Sequence, residues 1–223
     1  MKKTESQVSL LDSRPEQASY MFLSLLADKI KVLIIGGGKA ASIKAKSFAG
    51  RGCRVTVVSP EFSPEITLLD TGSLSLQEGR YQRRQLDGYH LVVIATDNND
   101  VNRQIQKDCE QMAKLYLMCG DPGEGQFVTP LMRESEEAIL ALNTRQGSPR
   151  TSVFIAEKLR KELEDHDSFI RVVCELREQL KGRDDRDEIL KRVNTDEFFE
   201  LFRRGQHHDV LRDMLSPDSQ RPL

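Results

Sequence analysis

The sequence has 223 residues, a formal net charge of −2 and 30% charged residues. This length can bury a sizeable core in one domain or two small ones, and the near-neutral charge excludes a global basic field for nucleic acid. Acidic residues interrupt the N-terminal stretch, so no secretory signal is predicted, and no apolar run is long enough to span a bilayer. We therefore expect a cytoplasmic protein with no nucleic-acid or membrane partner.

Strands and helices alternate from about Tyr20 onwards, after a polar, aperiodic stretch over residues 1–18 that predicts a loose arm. Five strands are predicted, at Lys31–Gly36, Cys53–Pro60, Leu74–Gly79, Tyr89–Asp97 and Leu115–Gly120. One helix is predicted to end near Gly50, with an inner face of Ala41, Ala45, Phe48 and Ala49, and another to run from about Asp100 to Ala113. This alternation predicts an α/β fold with a doubly wound, Rossmann-like parallel sheet.

The pattern changes after Gly120. The stretch "DPGEGQFVTP" is typical of a loop, and Glu136–Thr144 predicts one more strand. From about Thr151 nearly everything is helical, with an apolar face of Phe169, Val173, Leu176 and Leu180 and a predicted N-cap at Thr195. The sequence therefore predicts a helical domain at its C-terminal end.

A glycine-rich turn follows the first strand and fits the dinucleotide-binding pattern G-x-G-x-x-A. Gly36 allows the tight turn, Gly38 lets a pyrophosphate approach the backbone, and Ala41 lets the helix pack close to the sheet. The helix begins around Lys39 and Ala40, where free N–H groups and the helix dipole favour an anion. The alternative is a glycine turn that only packs tightly, but two separate glycine positions suit a bound ligand.

The end of the second strand bears on the choice of cofactor. The acid that usually binds the ribose is expected just after Val58, where this chain has Ser59 and, two positions on, Glu61. Serine removes the carboxylate that rejects a 2′-phosphate, but no arginine follows to bind one. Because Glu61 can reach the ribose, NAD is favoured over NADP.

Polar and small residues also follow the fourth strand, at an edge where ligands gather in open α/β sheets. Ala95, Thr96 and Asp97 are candidate cofactor neighbours, whereas the residues from Asn98 to Asp100 also suit a helix cap. Neither the four cysteines nor the four histidines show metal-ligand spacing, so no metal site is predicted. The cysteines are typical of reduced, mostly buried thiols.

Several of these stretches resemble precorrin-2 dehydrogenase, the NAD-dependent portion of siroheme synthase. The resemblance covers about Tyr20 to Leu163 and includes "SYMFLSLLADKIKVLIIGGG", "KAKSFAGRGCRVTVVSPEFSPEI", "VVIATDNNDVNRQI", "DPGEGQFVTP" and "LNTRQGSPRTSVFIAEKLRKEL". It implies oxidation of precorrin-2 to sirohydrochlorin with NAD, and in some members insertion of ferrous iron to give siroheme. It also implies a homodimer built through the segment after the nucleotide domain. Since the sequence ends at Leu223, the methyltransferase part of fused members is expected to be lacking.

The resemblance supplies domain limits and site residues. Together with the sequence pattern, it predicts an arm at 1–18, an NAD-binding domain at 19–118, a dimerisation segment at 119–152 and a helical domain at 153–223. Asp121 in "YLMCGDP" matches the family's catalytic aspartate, which can accept the proton released on oxidation. On sequence grounds alone, Asp-Pro-Gly is a common turn opener. Four residues are candidate ligands for the substrate's carboxylates: Ser148, Arg145, Arg150 and Arg133. Ser148 is predicted to begin a helix, with Pro149 at the first helical position.

One departure from the family lies at the predicted active site. The family's asparagine about three residues before the catalytic aspartate is missing from "LMCGD", and the following loop is about one residue shorter, with Gly123 and Gly125 in place of bulkier residues. Two hypotheses therefore remain open. The chain is a precorrin-2 dehydrogenase, with or without ferrochelatase activity, or it is a non-catalytic carrier or regulator that binds NAD or a tetrapyrrole.

Overall fold

The computed structural model describes residues 20–69, 72–145 and 147–216. The predicted arm over residues 1–18 lies outside the described residues. The described chain divides into two compact units, residues 20–129 and residues 130–216. The domain limits given above stay predictions.

The first unit is built on a parallel sheet, and the predicted fold class is confirmed. Its strands are β1 (Lys31–Ile35), β2 (Arg54–Ser59), β3 (Leu74–Glu78), β4 (Leu91–Ile94) and β5 (Leu115–Met118), arranged in the order β3-β2-β1-β4-β5. Its helices are α1 (Lys39–Ala49), α2 (Pro64–Thr67) and α3 (Asn99–Gln111), with single 3-10 turns at Ala27–Lys29, Arg83–Leu86 and Pro122–Glu124. The five predicted strands are all present, and β4 is shorter than its predicted range of Tyr89–Asp97.

Both faces of this sheet are covered, as a doubly wound fold requires. On one face the strands pack against α1, whose buried residues Ala41, Ala45 and Ala49 are small enough for close approach. On the other face they pack against α3 through Ile105 and Cys109. Phe48, predicted to share the inner face of α1, is only partly buried.

The second unit contains a short hairpin and four helices. The hairpin pairs β6 (Leu131–Glu134) with β7 (Ile139–Leu142) in antiparallel fashion. The helices are α4 (Pro149–Gln179), α5 (Arg186–Val193), α6 (Asp196–Arg203) and α7 (His207–Leu215). The predicted strand at Glu136–Thr144 is therefore β7 in shortened form, and the sequence pattern does not predict β6.

The helices of the second unit enclose a core of their own. Leu176 and Leu180 from the predicted apolar face of α4 are buried, while Phe169 and Val173 are partly buried beside them. Thr195 is the predicted N-cap of α6, and its hydroxyl accepts the backbone N–H of Phe198 at 3.3 Å.

The four cysteines are free thiols, although they are less buried than predicted. Cys53 and Cys109 are buried, Cys119 is half-buried and Cys174 is exposed. Among the described residues, no helix combines the length and apolar character needed to cross a membrane.

Candidate active site

The candidate site lies at the carboxyl edge of the parallel sheet, where the strand order reverses. The chain runs from β1 to β2 on one side and returns to β4 on the other, which opens a crevice above β1 and β4. The backbone N–H of Ala95 donates to Ile35 at 2.8 Å, and that of Cys119 donates to Ile94 at 2.9 Å. The segments after β1, β4 and β5 are thereby held side by side at one edge.

The segment after β1 contains three consecutive glycines, and the surroundings of each one differ. Gly36 has a φ of 122°, and a Cβ there would lie 2.3 Å from the carbonyl oxygen of Ala95. A Cβ on Gly37 would lie 1.9 Å from the carbonyl oxygen of Glu61. A Cβ on Gly38 would meet no atom of the protein within 4 Å. The chain itself therefore requires the first two glycines, whereas the third faces open space.

The open space beside Gly38 coincides with the start of α1. Gly38 is the N-cap residue of α1, and because glycine has no side chain it cannot cap the first N–H groups of the helix. Lys39 and Ala40 are exposed in the first turn. Ala41, the first inward residue, is fully buried against the sheet. The first N–H groups of a helix have no partner within it and bind anions well. This cradle fits the pyrophosphate of a dinucleotide.

Ser59 and Glu61 follow β2 next to the glycine turn. The Ser59 side chain is buried, and its hydroxyl accepts the backbone N–H of Glu61 at 3.4 Å. Glu61 is exposed, and its backbone passes directly against Gly37. The structure thus places both candidate ribose contacts beside the cradle, with the Glu61 carboxylate free to face solvent or a ligand.

The turn after β4 is held by a side chain that the sequence pattern does not single out. Asn102, in the second turn of α3, accepts a hydrogen bond from the Thr96 hydroxyl at 2.6 Å and donates its amide to the Thr96 carbonyl at 3.1 Å. Asn98 is the N-cap of α3, since its side chain accepts the N–H groups of Asp100 and Val101. Ala95 and Thr96 are partly buried at this edge, and Asp97 is exposed.

Asp121 lies near the start of the segment after β5, which we call the Asp121 loop (residues 119–129). Its carboxylate oxygen Oδ1 accepts the backbone N–H of Gly123 at 3.1 Å, so Asp121 is also the turn opener that its sequence predicts. The second carboxylate oxygen takes no part in that bond, and the residue is exposed. Asp121 therefore presents one acceptor oxygen at the same sheet edge as the cradle.

The glycines that distinguish this loop have a steric explanation. A Cβ on Gly125 would lie 3.1 Å from the backbone nitrogen of Met118, and one on Gly123 would lie 3.3 Å from the Asp121 carboxylate. The loop then returns along β5, where the N–H of Gln126 donates to the Tyr116 carbonyl at 2.8 Å. Glycine at both positions lets a short loop close tightly while keeping Asp121 at its start.

The four candidate substrate ligands belong to the second compact unit. Arg133 is bound to Glu157 and to the Met132 carbonyl, and this arginine holds the pKa of the Glu157 carboxyl below its usual range. Ser148 occupies the N-cap position of α4 before Pro149, but its hydroxyl donates to Thr151 Oγ1 rather than capping a backbone N–H. Arg145 and Arg150 are exposed. All four roles stay predictions.

Acidic and thiol side chains do not form a metal centre in the part of the chain that the structure describes. No group of three or more His, Cys, Asp or Glu residues there is arranged to hold an ion.

Comparisons with known proteins agree with this arrangement. A family model described as NAD(P)-binding matches residues 23–131, which include the cradle and Asp121. Siroheme synthase 3 of Aeromonas hydrophila is 30% identical over 166 residues, which are 74% of this chain and 36% of that protein. Siroheme synthase of Chromobacterium violaceum is 31% identical over 135 residues, or 60% of this chain and 28% of that one.

A solved structure shares the fold. The structure titled "SirC, precorrin-2 dehydrogenase" matches with a TM-score of 0.65 at 23% identity, covering 86% of this chain and 98% of that one. The present chain spans only about a third of the length of the first siroheme synthases it matches.

Proposed function

We propose that this chain, which belongs to the precorrin-2 dehydrogenase and siroheme synthase family, oxidises precorrin-2 to sirohydrochlorin with NAD. The reaction removes a hydride and a proton from the substrate, so the products are sirohydrochlorin, NADH and a proton. One observation carries the proposal: the open cradle at Gly38 follows β1 and the carboxylate of Asp121 follows β5, the two strands on either side of β4, at the same edge of one sheet.

The chain's own residues divide the work of binding the cofactor. The N–H groups at Gly38, Lys39 and Ala40 would hold the pyrophosphate, and the buried Ala41 keeps this helix start close to the sheet. Glu61 would accept hydrogen bonds from the adenosine ribose, which favours NAD over NADP. Ser59, whose hydroxyl accepts the backbone N–H of Glu61, would lie beside the same ribose. Ala95, Thr96 and Asp97 would border the nicotinamide ribose. When bound, the nicotinamide supplies the acceptor for a hydride.

Asp121 would accept the proton. General acid–base groups contribute when a reacting proton lies within hydrogen-bond reach. The Gly123 N–H fixes one oxygen of this carboxylate at 3.1 Å and thereby orients the other toward solvent or substrate. Ser148, Arg145, Arg150 and Arg133 would bind the carboxylates at the rim of the tetrapyrrole. We place the protein in the cytoplasm as a homodimer.

The test is an anaerobic assay of the purified chain with enzymatically made precorrin-2 and NAD. NAD-dependent formation of sirohydrochlorin at a catalytic rate, followed by its absorbance, is the expected result. Ferrous iron is then added, and faster formation of siroheme would add ferrochelation as a second activity. Detectable binding of NAD or tetrapyrrole without any turnover would contradict the enzyme and support the non-catalytic carrier, which the altered "LMCGD" segment favours.

A further inference from the structure

Lys44 connects the helix that carries the cradle to the Asp121 loop. It lies on α1, three residues beyond Ala41, and its side chain is half-buried. The ammonium group donates to the hydroxyl of Thr129 at 2.5 Å, across 85 positions of sequence. It also lies close enough to Cys119 to oppose the rise that burial causes in the pKa of that thiol. Lys44 thus reaches both ends of the loop.

The environment of Lys44 is costly for a charged group. Burial lowers the pKa of its ammonium group, and the nearby Cys119 offsets this only partly. Among the described residues, no carboxylate forms an ion pair with it. A methionine would fill the same space without the cost of removing a charge from water. Packing alone therefore does not explain why a charged, hydrogen-bonding side chain occupies this position.

The loop's other anchors indicate that reason. Its first residue is tied to β4 by the bond from Cys119 to Ile94, and its return is tied to β5 by the bond from Gln126 to Tyr116. Both of these anchors fix the loop to the sheet. Among the described residues, the bond between Lys44 and Thr129 is the hydrogen bond that ties the far end of the loop to α1, the helix whose N-terminus forms the cradle, and Phe127 of the loop packs against the core cluster that includes α1.

We propose that Lys44 is a positioning residue that clamps the Asp121 loop to α1, so that the carboxylate of Asp121 keeps its place relative to the cofactor cradle. A rigid connection of this kind matters because a displacement of about 1 Å at a reacting group can reduce a rate by about 100-fold. The kinetic part of this inference rests on the proposed dehydrogenase function, whereas the clamp itself does not.

The clamp is tested first by hydrogen–deuterium exchange of the full chain, which needs no turnover. Lys44→Met keeps the aliphatic stem and removes the charge and the donor. We expect the amides of Glu124, Gln126 and Phe127 to exchange at least about tenfold faster than in the wild type, because local opening of the loop becomes easier. The matched control is Lys46→Met, because Lys46 is an exposed lysine of the same helix. This variant should leave the exchange rates of these amides unchanged.

The acceptor provides an independent pair of variants. Thr129→Val removes the hydroxyl and should reproduce the faster amide exchange. Thr129→Ser keeps the hydroxyl and should keep most of the wild-type protection from exchange. In the anaerobic assay, Lys44→Met and Thr129→Val should lower kcat by about tenfold or more, with unchanged KM and Kd for NAD. Loss of NAD affinity instead of kcat would overturn the positioning role.

Two further outcomes would overturn the clamp. One is loop exchange in Lys44→Met equal to that in Lys46→Met, and the other is equal behaviour of Thr129→Ser and Thr129→Val. If the wild type showed no turnover, the proposed function would fail, but the exchange experiment would still decide whether the clamp exists.

Discussion

Gly36, Gly37 and Gly38 are adjacent in sequence, yet substituting them tests different things. At Gly38 the φ of −90° suits any residue, and serine is a favoured N-cap. We expect Gly38→Ser to change the free energy of unfolding by no more than about 0.5 kcal/mol. Its side chain would occupy the cradle, so calorimetric titration should show at least a tenfold weaker affinity for NAD, or about 1.4 kcal/mol. Unchanged NAD affinity in this variant would contradict the cradle.

Gly36→Ala is the comparison that makes this test specific. Its Cβ would clash with the Ala95 carbonyl, and its φ of 122° is strained for alanine. We therefore expect denaturant unfolding to show a loss of more than about 1 kcal/mol of stability. A Gly36→Ala variant as stable as the wild type would contradict the close approach of β1 and β4 at this point.

The sequence alone predicts the parts of the site that follow a local pattern. The spacing of Gly36, Gly38 and Ala41 and their place after an aliphatic strand are visible without the fold. The contact of Gly37 with Glu61 and the bond from Lys44 to Thr129 are not, because each joins residues from different elements. Asn102 lies six residues after Thr96, but the sequence pattern does not show that its side chain binds Thr96.

At the scale of elements, hydrophobic pattern predicts the parallel sheet because its central strands β1 and β4 are buried on both faces and stand out as aliphatic runs. The hairpin is harder to predict. The stretch Leu131–Glu134 is short, ends in charged residues and becomes a strand only by pairing with Ile139–Leu142. The turn between them is also fixed from a distance, by a carboxylate on α4.

That carboxylate is Asp167, which is buried and accepts hydrogen bonds from the Ser135 hydroxyl and the N–H groups of Glu136 and Glu137. Burial alone would raise its pKa, but these hydrogen bonds outweigh burial and hold the pKa below its usual value. A carboxyl whose pKa is lower in the folded state stabilises the fold above its unfolded-state pKa of about 3.9. This contribution is lost as the pH falls through the folded-state pKa.

We therefore expect Asp167→Asn to be less stable than the wild type at neutral pH and to lose less stability on acidification. Urea unfolding from neutral pH to about pH 3 measures both effects. The matched control is Asp165→Asn, since Asp165 is exposed on the same helix. Equal pH dependence of the wild type and Asp167→Asn would show that this carboxylate does not stabilise the turn.

At the scale of the whole molecule, exposed apolar side chains support the proposed homodimer. In the second unit Ile139 and Phe154 are 67% and 61% exposed, and Val153 and Leu159 are also exposed. Light scattering after size exclusion should therefore give twice the 25.4 kDa mass of one chain. Phe154→Glu should shift this mass toward that of one chain, because a charge in an apolar interface is costly to bury. A monomer at all concentrations of the wild type would contradict the homodimer.

In the proposed reaction, a carboxylate at the sheet edge accepts the proton while NAD takes the hydride from precorrin-2. The most direct measurement compares the wild type with Asp121→Asn under anaerobic conditions, following sirohydrochlorin and NADH together. We expect equal amounts of both products from the wild type and a kcat at least about 100-fold lower in the variant. We also expect unchanged NAD affinity, since the cradle at Gly38 is intact. An Asp121→Asn variant that turns over at the wild-type rate would contradict the role of Asp121 as the proton acceptor.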